Sequence, residues 1–378
     1  SAAFKGRRED RRLITGTGRY TADWNQPGQL YAAFLRSDRA HAEIVSLNTK
    51  AAASHPGVSC VLTHEDTAAA GLKFAPPFVP YPGKGGQPIK VPPHGILASK
   101  RVRYVGEEIA MVVASTQAAA QDAVEKIEIE YQDLPASADV EDSLKPGAPL
   151  IHPELPGNIS MEFDYGDQAK VDEAMAKAAH VTRIKLYSAR LVSNPMEPKG
   201  CLAVYDAGKD VWDLWSSTQG MTMMKGSMGP YGIPPEKVRV HAQDVGGGFG
   251  TRGGAYPEYL VVMLAAKKLG KPVKWTATRQ ENFVSDHHGR AIRLDGALAL
   301  DKDGKFLAFR LDWICDLGAY PAGAGPMINT ITPKLTPTGV YNTAAVYGYH
   351  RLVITNTTPI APYRGAGRPD GAYLIERL

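Results

Sequence analysis

Gln243-Asp244-Val245-Gly246-Gly247-Gly248-Phe249-Gly250-Thr251-Arg252-Gly253-Gly254 is the stretch from which the rest of the chain is read. Its glycines let the backbone enter φ > 0 regions and approach a ligand or another segment closely. The N–H groups of such a loop make a concave anion site when they sit in a turn or at a helix N-terminus, so a phosphorylated cofactor is the first expectation. The plainer alternative is a sharp turn between a strand at Val238 to Val240 and a helix at Tyr256 to Lys268.

Composition narrows the choice without settling it. A chain of 378 residues exceeds the usual single core, and 44% hydrophobic with 22% charged residues is ordinary for a globular protein. The 43 Lys and Arg against 39 Asp and Glu leave +4, too small and too evenly spread to argue for nucleic acid or a membrane surface as partner. Cys60, Cys201 and Cys315 stand far apart with no C-x-x-C pair, so neither a disulfide framework nor a local zinc or iron–sulfur site is expected. With no bilayer-length apolar run and no secretory leader at the start, the cytoplasm is the expected compartment, or the periplasm if a signal has been removed. Gly371 to Leu378 reads as an amphipathic helix without a stop signal, so the fold is expected to be incomplete there and continued by more chain or by a second subunit.

Periodicity and turn chemistry predict an α+β fold in three stretches. Residues 1–132 hold an extended lead-in from Arg8 to Tyr20, strands at Leu30 to Leu35, His41 to Leu47 and Val58 to Leu62, and a Pro-rich excursion from Ala75 to Pro93. A strand ending near Ala114, a helix from Thr116 to Val124 with Thr116 or Ser115 as N-cap, and a strand from Ile127 to Tyr131 close this part. Residues 133–170, with their many prolines, read as a linker laid over the surface. Residues 171–378 alternate strands with one long helix from Tyr256 to Leu269, and Asp301-Lys302-Asp303-Gly304 signals a hairpin.

Three loops of the last stretch each follow a strand and expose backbone: Ser216-Ser217-Thr218-Gln219-Gly220, the glycine loop, and Ala361-Pro362-Tyr363-Arg364-Gly365-Ala366-Gly367-Arg368-Pro369-Asp370. Gly246 to Gly250, Thr218-Gln219 and Tyr363 to Pro369 together resemble the molybdenum-binding large subunit of the xanthine dehydrogenase, aldehyde oxidase and carbon monoxide dehydrogenase group of molybdenum hydroxylases. Arg8-Glu9-Asp10-Arg11-Arg12 with Thr15 to Tyr20, and Val105-Gly106-Glu107-Glu108, look like that group's N-terminal α/β hammerhead domain. Asn194-Pro195-Met196-Glu197-Pro198 fits its Met-Glu-Pro turn. The matches run over almost the whole chain in the family's order.

The resemblance implies a hammerhead domain followed by the first molybdopterin-binding domain. It also implies a molybdenum–molybdopterin cofactor, in bacteria often the cytosine dinucleotide form, and hydroxylation of an aldehyde or N-heteroaromatic carbon with water as the oxygen source. Gln219 would aim its amide at a metal oxo ligand, since an amide donates without competing for the metal. Gly247, Gly248, Phe249 and Gly250 would bring backbone and ring beside the cofactor, and Arg364, Gly365, Ala366 and Gly367 would form the opposite wall. The metal would be held by the cofactor's sulfurs, so no protein metal ligand is expected. Electrons would leave through a small subunit with two 2Fe-2S clusters and a medium subunit with FAD. The general base of the family lies toward the far end of the full-length subunit and is assigned to neither Glu197 nor Glu258.

Departures from the pattern matter too. The carbon monoxide enzymes carry a cysteine immediately after the arginine of the last loop, where this chain has Gly365. The purine enzymes carry a glutamate soon after the Phe-Gly pair, where Thr251-Arg252-Gly253 offers no carboxylate. Competing readings are a carbon monoxide dehydrogenase-like enzyme, a non-catalytic cofactor-binding or assembly subunit, and a dinucleotide fingerprint, which the loop fails at its last glycine. The pair His287-His288 points to opposite faces of a strand, which opposes metal binding there.

Overall fold

Residues with period-two burial build two large sheets, and the strands that form them come from both ends of the chain. The structure, a computed structural model, describes residues 6–378. The larger sheet has seven strands in the order Val238–His241, Val211–Ser216, Gly200–Asp206, Val273–Thr276, Leu30–Arg36, Glu108–Ala114 and Val58–Leu62. Leu30 pairs in parallel with Val273 and Tyr31 with Lys274, so strands from near the start of the chain and from its second half form one continuous sheet. Glu108–Ala114 is buried at every residue, as a strand covered on both faces must be.

The helix Pro257–Leu269 packs on the Gly200–Asp206 and Val273–Thr276 strands and is buried for most of its length. Proline at its first position fits an N–H that has no helical partner, and Gly270 in a left-handed conformation at φ 62° stops it. Its Glu258, fully buried, receives Lys199 Nζ at 2.6 Å and Arg36 Nη2 at 2.8 Å. Arg36 also reaches Glu108 and Glu281, each at 2.7 Å. This charge cluster joins strand to helix where an unpaired charge would be prohibitive, so its members stand or fall together.

A five-stranded sheet follows, in the order Ile159–Gly166, Ala345–Val353, Phe306–Asp316, Ile292–Leu300 and His180–Ser188. The predicted hairpin is there: Ile292–Leu300 and Phe306–Asp316 run antiparallel on either side of Gly304 at φ 81°. The terminal helix Arg368–Ile375 lays Leu374 against this sheet, so close to Gly296 that a Cβ there would lie 2.8 Å from Leu374 Cδ1.

Two expectations are corrected. The stretch 133–170 is not a surface linker throughout: Ile159–Gly166 pairs with Ala345–Val353, and Ile151, Leu155, Met161 and Phe163 are buried in the second core. Ile159, Met161 and Phe163 alternate with Ser160, Glu162 and Asp164, which is the strand signal that the nearby prolines obscure. The lead-in contains a short helix, Asp10–Ile14, where an extended run was expected. No helix among the described residues is long and apolar enough to cross a membrane.

Candidate functional site

The strands Val211–Ser216 and Val238–His241 lie side by side and in parallel, so the loops that leave their C-terminal ends emerge at the same edge. There the three sequence-predicted loops meet. Gly250 donates its N–H to Gln219 Oε1 at 2.7 Å, Gln219 donates its own N–H to Arg252 O at 2.9 Å, and Arg364 donates to Phe249 O at 2.7 Å. These bonds join Gln219, Phe249, Gly250 and Arg364, and the other predicted site residues, Gly247, Gly248, Gly365, Ala366 and Gly367, lie in the same two loops.

The backbone shows why glycine is needed at particular points. Gly250 has φ 112°, and a Cβ there would lie 2.3 Å from Pro362 O; the Gly248 position would put one 2.5 Å from Gln219 Cγ. Gly247, Gly365 and Gly367 also have positive φ, at 117°, 93° and 87°. Phe249 and Ala366 adopt φ 50° despite their side chains, a strained state that the surrounding loop contacts must hold. Phe249 is 42% exposed, so its ring stands open at this edge, as the rings of Phe78 and Phe283 do elsewhere on the surface.

The orientation of Gln219 follows from its hydrogen bond. With its amide oxygen engaged by Gly250 N–H, the NH₂ group is the free end, and it is a donor. Among the described residues, the N–H groups of Gly247, Gly248, Phe249, Gly365 and Gly367 reach no protein acceptor. The edge thus offers main-chain donors, one side-chain amide donor and one exposed ring. Arg364 is exposed and, among the described residues, has no carboxylate partner.

The helix starts only at Pro257, after a short 3-10 turn at Thr251–Gly253 and the almost fully buried Tyr256, so the free donors of the glycine loop belong to the loop itself and not to the helix. The loop is also held by side chains. Arg252, fully buried, pairs with Asp286 at 2.8 Å, and the single O–H of Tyr256 is placed between two acceptors, Asp286 Oδ1 at 2.5 Å and Thr251 O at 2.9 Å. Burial is the largest single influence on the Asp286 carboxyl and pushes it up, but Arg252, Lys199 and the hydrogen bonds from Tyr256 and Arg252 together keep it below its usual value.

A residue quoted from the sequence only as part of a turn proves to be a clamp. Glu197 accepts Gly246 N–H at 2.7 Å through one oxygen and Thr21 N–H at 2.9 Å through the other. Arg279 pins the same turn through Asn194 Oδ1 and Met196 O, at 2.5 and 2.8 Å. No sequence signal places a carboxylate against an amide so far along the chain. With both its oxygens occupied, Glu197 is a structural group, and Glu258 is committed to Arg36 and Lys199.

The His287-His288 pair is likewise spoken for. Arg190 Nη1 lies 3.0 Å from His288 Nδ1, so Nε2 carries the proton and donates to Phe283 O at 2.9 Å. His287 stacks on Tyr256 at 4.7 Å, and burial pushes both imidazoles down to about 4. Among the described residues no group of three or more His, Cys, Asp and Glu is placed to hold a metal. Cys201 and Cys315 are buried, and none of the three cysteines lies in the loops of the site.

Residues 15–135 match the family model of the aldehyde oxidase and xanthine dehydrogenase a/b hammerhead domain, and residues 151–378 match that of the molybdopterin cofactor-binding domain. The nicotine 6-hydroxylase large subunit of Paenarthrobacter nicotinovorans is 35% identical over 98% of this chain and 45% of its own. The carbon monoxide dehydrogenase large chain of Hydrogenophaga pseudoflava is 33% identical over 98% of this chain and 47% of its own. Among solved structures, quinoline 2-oxidoreductase from Pseudomonas putida 86 superposes with a TM-score of 0.85 at 34% identity, covering 98% of this chain and 48% of that one. The chain spans about half the length of the relatives it matches.

Proposed function

The chain belongs to the aldehyde oxidase and xanthine dehydrogenase family of molybdopterin-binding proteins, and on that premise we propose that it supplies one wall of the catalytic site of a molybdenum hydroxylase. The observation that carries the reading is the Gln219 amide, fixed by Gly250 so that its NH₂ faces outward beside Phe249 and the free N–H groups of the two glycine-rich loops. Such an array suits a pterin, a flat heterocycle with hydrogen-bonding edges, and leaves a donor for an oxygen that must be approached without metal ligation.

When bound, the molybdenum–pterin group supplies a water-derived oxygen and takes up two electrons. The protein's part is orientation and exclusion. Gln219 Nε2, free of protein partners among the described residues, would donate a hydrogen bond to an oxygen at the reacting centre. Phe249 covers one side of the substrate space, and Arg364 places a cation at its edge. Partner chains carrying 2Fe-2S clusters and FAD would take up the electrons, and a cytosine dinucleotide tail would extend the pterin. The base is supplied from outside this chain, by the part of the family's length that these residues do not cover.

The substrate class is an N-heteroaromatic ring in preference to an aldehyde, since the nicotine and quinoline enzymes are among the relatives of higher identity. Carbon monoxide chemistry of the copper kind is disfavoured by the backbone at Gly365. Its φ of 93° suits glycine, and a Cβ would lie 2.4 Å from Pro369 Cγ, so a thiolate there requires the loop to move. The division into a hammerhead unit to residue 132 and a molybdopterin-binding unit from 171 stands within this proposal, with Ile159–Gly166 added to the second. Metal and pterin analysis of the protein purified with its native partners tests the reading. Molybdenum and pterin present in equal amounts support it, and a preparation lacking both overturns it.

A further inference from the structure

Two adjacent residues that are not glycine, Arg290 and Ala291, adopt left-handed backbone at φ 65° and 63°. One such residue is uncommon; two in succession are strained, because each Cβ crowds the neighbouring carbonyl. They lie between His288–Gly289 and Ile292–Leu300, and this short segment is the bed on which the Arg364 loop rests. His288 donates its N–H to Pro359 O at 3.1 Å, and Ala361 donates back to His288 O at 3.0 Å. Gly289 lies so close to Tyr363 that a Cβ would approach Tyr363 Cβ to 2.5 Å.

The turn aims the Arg290 side chain at the loop. Its Nη2 donates to Arg364 O at 2.7 Å, its Nη1 lies 3.3 Å from Asp370 Oδ2, and its guanidinium sits 5.2 Å from the Tyr363 ring centroid. Asp370 is buried and also receives Ser188 Oγ at 2.5 Å, so the far end of the clamp is fixed to the sheet. One planar, always-charged group thus joins the carbonyl of Arg364, the ring before it and the first turn of the terminal helix. Lysine has one point of attachment where arginine has a fork.

We infer that Arg290 is a positioning residue for the cofactor wall formed by Arg364 to Gly367, held in a strained turn so that its guanidinium fixes the Arg364 carbonyl. The inference rests on the reading of that loop as a pterin wall. Glycine at position 290 relieves the backbone strain and removes the clamp, but it also leaves the buried Asp370 without its cation. Local opening of the loop at Arg364 in a protein that still folds, with recovery by lysine, separates the positioning role from a merely structural one.

The test uses the purified native complex of wild type, Arg290→Gly and Arg290→Lys, with three readouts. Molybdenum and pterin content per chain should fall about tenfold in Arg290→Gly, as for lost contacts that orient a ligand, and recover at least in part in Arg290→Lys. Trypsin cleavage after Arg364 in cofactor-stripped protein should rise about tenfold in Arg290→Gly, the loss of one charge-assisted hydrogen bond. The stripped protein should still unfold cooperatively in Arg290→Gly, at a lower temperature because the buried Asp370 loses its cation. A wild-type complex without molybdenum overturns the cofactor-wall reading and this inference with it. Normal cofactor content in Arg290→Gly, or trypsin cleavage after Arg364 at the wild-type rate, overturns this inference alone.

Discussion

Replacing Glu197 by alanine should loosen the site from behind without touching its open face. The side chain accepts two main-chain N–H groups, Gly246 at 2.7 Å and Thr21 at 2.9 Å, and it is only 9% exposed. Leaving a buried donor unpaired costs about 1–3 kcal/mol, and some water can enter at this depth, so about 1–2 kcal/mol for each amide and about 2–4 kcal/mol in total is expected. At about 1.4 kcal/mol per factor of ten, each amide should exchange its hydrogen roughly 5- to 30-fold faster. Glutamine is no neutral substitute, because its NH₂ turns one of the two contacts into donor facing donor. Hydrogen exchange followed by mass spectrometry on peptides containing Thr21 and Gly246 reads both contacts separately. Alanine should free both amides, and glutamine should free one. If both exchange at the wild-type rate in Glu197→Ala, the clamp does not hold the loop and the account of how the glycine loop is supported is wrong.

Further outcomes follow from the same geometry. Gln219→Ala should lower turnover of the holoenzyme about 100-fold while leaving pterin content nearly intact, as for removal of one preorganised donor; unchanged turnover would take Gln219 out of the site. Gly250→Ala should cost more than about 2 kcal/mol, since φ of 112° and a Cβ 2.3 Å from Pro362 O combine strain with a backbone clash, and chemical denaturation checks it. Burial and the neighbouring Glu258 charge push the Glu108 carboxyl up to about 7, so in the folded state it keeps a proton that the unfolded chain has lost. Its contribution is full below the ordinary carboxyl range and fades as pH rises through about 7; Glu108→Gln should flatten that part of the stability profile, and an unchanged slope would show that Glu108 is not its source.

The parts of the site legible in the sequence are those whose chemistry is local. The glycine loop, the Thr218-Gln219 pair and the run from Tyr363 to Pro369 declare themselves because backbone that must bend at fixed points needs glycine at fixed points. The hairpin at Asp301 to Gly304 and the N-cap at Thr116, whose side chain accepts Ala119 N–H at 3.1 Å, are legible for the same reason. What stayed hidden depends on long-range pairing. The Arg36 cluster joins Glu108, Glu258 and Glu281 across most of the chain, and Glu197 reaches Thr21 and Gly246; residue types alone do not fix such partners. The strand Ile159–Gly166 is a different case, since its alternation is plain but prolines at 149, 153 and 156 make the neighbourhood read as linker. Arg290 was invisible because nothing in the sequence announces a left-handed arginine.

The central claim is that Gln219, the Phe249 loop and the Arg364 loop are three sides of one molybdopterin site. Anomalous scattering from crystals of the intact complex, recorded on either side of the molybdenum absorption edge, tests it most directly. A single molybdenum peak beside the Gln219 amide nitrogen, with pterin density between the Phe249 and Arg364 loops, is the predicted result. A molybdenum peak elsewhere in a complex whose Gln219 edge faces only solvent or protein would contradict it.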